Sequence, residues 1–107
     1  IDSSHIIRTG GDVVFLYLEL LPSLPSGILV HAHDIFLPFE YPERFILEDR
    51  CGWNEQYLVA ALLYGGTALE VLWPSCFMWT RDREFVKSVI PSEREFPPSS
   101  LWFRVGK

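Results

Sequence analysis

The chain has 107 residues and a net charge of −5, with 49% hydrophobic, 15% aromatic and 21% charged residues. A chain of this size supports one hydrophobic core, and so much apolar surface excludes a disordered tail. The acidic balance, with no basic stripe, argues against nucleic acid and anionic membranes as partners.

The apolar stretch Val13 to Leu18 is far shorter than the roughly 20 residues of a spanning helix. Asp2 and His5 stand where a signal peptide would carry basic residues. Cys51 and Cys76 are compatible with one disulfide, but neither belongs to a C-x-x-C pair. Free thiols in a reducing cytoplasm are therefore expected.

In chain order, Ile1-Asp2-Ser3-Ser4-His5 reads as the tail of a strand, so the sequence is expected to begin inside a fold. Thr9 to Asp12 form a turn, with Asp12 an N-cap for a helix over Val13 to Leu21 that Pro22 stops. Gly27 leads into a strand, Ile28 to Asp34, whose doubly apolar start suits a buried parallel strand. Ile35 to Pro42 is a loop carrying Phe36, Phe39 and Tyr41, which either wall a pocket or pack on the sheet edge.

Pro42 opens a short helix through Asp49, its charged residues a solvated face. Asn54 caps a helix from Glu55 to Leu63 that ends at Gly65-Gly66, with Leu58, Ala61 and Leu62 on one face. Thr67 to Trp73 is a strand closed by Pro74. Arg83 to Val89 is a short helix, Pro91 to Ser99 a connector and Ser100 to Val105 the last strand. Alternating strands and helices indicate an α/β fold with a mainly parallel sheet.

Two polar groupings carry potential chemistry: Asp2-x-x-His5 and His31-x-His33-Asp34. In open parallel sheets ligands bind beyond the carboxyl ends of the strands. Adjacent strands about 4.8 Å apart would set Asp2 and Asp34 within reach of one cation. Two carboxylates suit Mg²⁺, and an added imidazole admits Zn²⁺ or Mn²⁺. His5 would stand beside the metal as a general base. Equally, Asp and His at strand ends often just cap the following turn, and a partly buried structural role is expected for His31.

Ile1-Asp2-Ser3-Ser4-His5, Gly10-Gly11-Asp12, the run His31 to Pro38, Trp53 to Leu58, and Ser99 to Arg104 together resemble the second half of class I S-adenosylmethionine-dependent methyltransferases. The nearest group is the macrolide and sugar O-methyltransferases. That resemblance implies Asp2 and Asp34 as Mg²⁺ ligands and His5 as the base toward an acceptor hydroxyl. His33 stands where relatives often carry an acidic ligand, and Asp2-Ser3-Ser4-His5 lacks the second acid of the commoner Asp-Gly-Asp-His. Neither Gly10-Gly11 nor Gly65-Gly66 replaces the family's glycine-rich cofactor loop.

The expectation is therefore a single partial domain over residues 1–107. Its fold class is α/β: a partial Rossmann-like sheet of three parallel strands with helices and a final antiparallel strand. The expected function is that of a methyltransferase-like fragment, with His5 catalytic and Asp2, Asp34 and His33 holding Mg²⁺. S-adenosylmethionine would bind only if a partner chain supplied the missing half. The alternative is a non-catalytic assembly protein, a homodimer formed through the exposed first strand or the aromatic loop.

Overall fold

The computed structural model describes residues 1–66, 68–91, 93 and 95–106. Helical structure begins with α1 (Asp12–Phe15), passes through a π-helical stretch (Leu16–Leu20) and ends in α2 (Leu21–Ser23). Then come β1 (Leu29–His33), α3 (Glu43–Leu47), α4 (Glu55–Gly65) and β2 (Leu69–Pro74). The chain closes with α5 (Ser75–Arg81), α6 (Arg83–Val89) and β3 (Ser100–Val105). Thr67, read above as the start of a strand, and Ser92 and Arg94 of the connector lie outside the described residues.

The three strands form one sheet in the order β1-β3-β2. Both pairings are antiparallel, Val30 opposite Phe103 and Val71 opposite Phe103, with a register shift between Val71 and Trp73. This corrects the expected parallel ladder. β1 and β2 do run in the same direction, but they do not touch, because β3 returns between them. The placement has a physical cause. β3 alternates most cleanly, with Leu101, Phe103 and Val105 buried and Trp102 and Arg104 exposed, so the central position buries the most apolar surface.

One parallel feature remains at the outer edge of β1. The amino group of Ile1 donates to the His31 carbonyl at 2.5 Å, and the His33 N–H donates to the Ile1 carbonyl at 2.8 Å. A single residue bonded to positions i−1 and i+1 of its neighbour follows the parallel pattern.

The core lies on one face of the sheet, where Val30, Ala32, Leu101, Phe103 and Val105 meet Val13, Tyr17 and Leu21 of the first helical run and Val59 of α4. A second cluster joins Phe36, Tyr41 and Cys76, with Phe45 and Trp53 packed against it. On the other face His31 stacks on its cross-strand partner Trp102, at 4.5 Å and 14°. Both cysteines are free thiols. No described helix is long and apolar enough to cross a membrane.

Three local expectations are revised. Asp12 does not hold the capping position of the first helix: Gly11 takes it, and the Asp12 carboxylate accepts from Ser4 as well as from the Val13 N–H of the first turn. Pro22 does not stop the helix either, since the last turn runs to Ser23 beyond the π-helical stretch. Helix α5 directly follows Pro74, which ends one element and opens the next.

Candidate functional site

Everything that the sequence suggested as reactive, apart from His31, converges at the carboxyl end of β1. Ile1 is tied to His31 and His33, and this anchors Asp2 beside the end of that strand. His5 and Asp34 both adopt the left-handed backbone conformation, with φ of 63° and 59°. Such conformations cost non-glycine residues free energy and concentrate at functional positions. They turn both side chains back toward a common point.

There, His5 Nε2 lies 3.5 Å from Asp2 Oδ1 and 3.5 Å from Asp34 Oδ2. The candidate ligand atoms of Asp2, His5 and Asp34 all lie within 4.8 Å of one another. His33 Nδ1 is 2.8 Å from Asp34 Oδ2 and 3.9 Å from Asp2 Oδ1. The Ser99 hydroxyl donates to Asp34 Oδ1 at 2.8 Å. Asp2 is exposed and His5 is buried, so the cluster spans from solvent to core.

Sequence reasoning missed the residue behind His5. Glu55 is fully buried, and its Oε1 lies 2.7 Å from His5 Nδ1. Its Oε2 accepts from the Tyr17 hydroxyl at 2.9 Å. Burial, and then the charge of Glu55, push the Tyr17 hydroxyl well above its ordinary range, so it remains a neutral donor. A carboxylate accepting at Nδ1 fixes the tautomer and leaves Nε2 turned toward Asp2 and Asp34. The His5 ring also lies 4.2 Å from that of Trp53, tilted by 42°.

Glu55 belongs to a run of three polar side chains at the start of α4 that tie down the amino-terminal segment, the first helical run and the loop after β1. Asn54 Oδ1 accepts from the Ile7 N–H at 2.5 Å rather than capping its own helix. The backbone N–H groups of Asn54 and Glu55 both donate to the His5 carbonyl. Gln56 accepts from the Phe36 N–H at 2.9 Å and donates to the Phe39 carbonyl at 3.1 Å. Its own N–H donates to the Tyr41 hydroxyl, which burial pushes up to about 12.

The buried face of α4 is thus headed by Glu55 and Val59; Leu58 and Leu62 of the face expected above pack against the core beside them, while Ala61 is exposed. The signal was present: Glu55, Val59 and Leu62 follow i, i+4, i+7 spacing, which places a carboxylate at the head of an apolar stripe.

His31, only two residues from His33, does not join the cluster. It stacks on Trp102, and partial burial, followed by the charge of the amino terminus, lowers its basicity. Of the loop aromatics, Phe36 and Tyr41 are buried and Phe39 remains partly exposed. A cavity of about 630 Å³ opens beside Asp34 and His33, walled by Phe36, Phe39, Phe45 and Phe96.

The donor set fits a divalent cation. The Asp2 and Asp34 carboxylates face one point with His33 beside them and His5 Nε2 turned toward them, and Glu55 behind His5 orients its ring. The glycine pairs do not fit a dinucleotide-type cofactor cradle. Gly10, at φ 70°, makes a turn after an irregular segment, and Gly66 closes α4. No protein-family model, curated protein or solved structure matches the chain.

Proposed function

We propose that the chain carries the metal-binding and proton-accepting edge of a methyltransferase-like fold, acting on an acceptor hydroxyl. Support comes from the convergence of Asp2, His5 and Asp34 at the end of β1, with Glu55 fixing His5 from behind. In this reading Asp2, Asp34 and His33 hold Mg²⁺ or a similar cation, which when bound polarises the acceptor oxygen. His5 Nε2 takes the hydroxyl proton, and Glu55, itself held by the Tyr17 hydroxyl, stabilises the resulting imidazolium through Nδ1–H. Two strands running the same way on either side of a reversed β3, and the parallel bonding of Ile1, are compatible with half of a Rossmann-like sheet. A methyl donor such as S-adenosylmethionine would then need residues of a partner chain, and no transfer step is assigned to this chain alone.

Titration with Mn²⁺, followed by electron paramagnetic resonance, tests the reading. One saturable site per chain is expected, weakened at least tenfold by Asp34→Asn, a substitution that tolerates the left-handed backbone. No binding at millimolar Mn²⁺ would overturn the cation assignment.

A second reading, assembly without catalysis, is favoured by the outer edge of β1 around Leu29, ahead of the stretch that Ile1 covers at His31 and His33. Ile28, Val30 and Ala32 turn their backbone groups toward β3, so Leu29 and His31 turn theirs outward. Leu29 is also 56% exposed. Such an edge pairs readily with a second copy of the chain. Sedimentation across a concentration series separates a dimer from a monomer.

A further inference from the structure

We infer that the cavity beside Asp34 binds an uncharged aromatic alcohol, its ring against the phenylalanine walls and its hydroxyl at the Asp34–His33 end. The inference rests on the proposed acceptor edge, where Asp34 and His33 stand beside His5, and names the class of acceptor.

Four observations carry it. The volume, about 630 Å³, lies within the range of small-molecule sites and accommodates two fused rings. The walls are aromatic: Phe36, Phe39, Phe45 and Phe96 line the space, and Phe36 and Phe45 already pack edge to face at 5.7 Å and 88°. A ligand ring would extend that arrangement with the same offset or edge contacts. The buried Cys76 adds a neutral wall, since burial pushes its thiol up.

Polarity is confined to particular places. At one end stand His33, Asp34 and Ser99. The Asp34 carboxylate already accepts from Ser99 and lies against His33, yet a carboxylate offers about four acceptor positions. A ligand hydroxyl can therefore still donate to it. Charge sets the rest of the class. Asp34 and Glu40 line the cavity, and the one guanidinium among its described lining residues, Arg44, is engaged with Asp49 at 3.4 Å. An anionic ligand would meet net repulsion there. Gln56, buried beneath, holds the Phe36 N–H and the Phe39 carbonyl, so this wall is pre-formed rather than assembled by the ligand.

The test is an amide-resolved NMR titration of the whole chain with 2-naphthol, 2-naphthoate and methyl β-glucoside, each run separately, with a parallel Mn²⁺ titration. Saturable 2-naphthol shifts at His33, Phe39, Phe45 and Phe96 are expected, with 2-naphthoate at least tenfold weaker. Phe39→Ala and Phe96→Ala, both at exposed positions, should each weaken 2-naphthol binding severalfold. Tighter 2-naphthoate or methyl β-glucoside binding would overturn the ligand class. Shifts centred instead on the separate cavity at Cys51, Trp53 and Tyr57 would overturn the site. Mn²⁺ binding without 2-naphthol binding defeats this inference alone, whereas 2-naphthol binding without Mn²⁺ defeats the cation reading and leaves the cavity assigned.

Discussion

The Glu55 carboxylate lies 2.7 Å from Nδ1 of His5, across 50 positions of sequence and wholly out of solvent. Neither residue is explained alone. A buried carboxylate without partners would be costly, and a buried imidazole without an acceptor would have no fixed orientation. Together with Tyr17 they form a satisfied unit that joins the first helical run, α4 and the amino-terminal segment.

This unit predicts coupled losses. Tyr17→Phe removes one hydrogen bond and should cost about 1 kcal/mol, whereas Glu55→Ala strands both partners and should cost about 3 kcal/mol or more. Urea denaturation of the single and double variants checks this. The double-mutant cycle should show a coupling of about 0.5–3 kcal/mol, and strict additivity would mean that the two side chains do not act together.

Acid sensitivity should be traceable to Asp12. The side chain and then the backbone of Ser4 hydrogen-bond its carboxylate and hold it below the usual carboxylate range. Because the folded value is the lower one, this contribution is fully present above the ordinary value of 3.8 and is lost as pH falls through the folded value. Asp12→Asn should therefore flatten the fall in urea midpoint below about pH 4. An unchanged acid limb would show that the Ser4–Asp12 bonds add nothing to stability.

Thiol labelling should distinguish the two cysteines. Burial pushes the Cys76 thiol up and shields it, while Cys51 is partly exposed. At pH 8 a disulfide reagent should modify Cys51 first, with Cys76 reacting only on unfolding. Equal rates in the folded protein would contradict the packing of Cys76 against Phe36 and Tyr41.

Phe103 is the centre of the sheet, fully buried and opposite both Val30 and Val71. Phe103→Ala should cost about 3–5 kcal/mol, enough to threaten the fold of a domain this small. Trp102→Ala, at the neighbouring exposed position, should cost much less and leave the far-ultraviolet circular dichroism unchanged.

The sequence by itself determined most of the elements and singled out four of the side chains that meet at the end of β1. Gly27 before Ile28, Gly65-Gly66 after Leu63 and the alternation of Ser100 to Val105 mark their boundaries through local chemistry, which acts over a few residues. Asp2, His5, His33 and Asp34 stood out because their side chains are chemically distinctive where strands end. Tertiary structure decided what depends on contacts between distant segments. It placed β3 between β1 and β2, because the most regularly alternating strand buries most in the centre. It turned the carboxylate of Asp12 to Ser4 as well as to the first helical turn, and set that of Glu55 against the back of His5. Local spacing cannot name such partners, because a buried polar group is paired by whichever segment the fold brings against it.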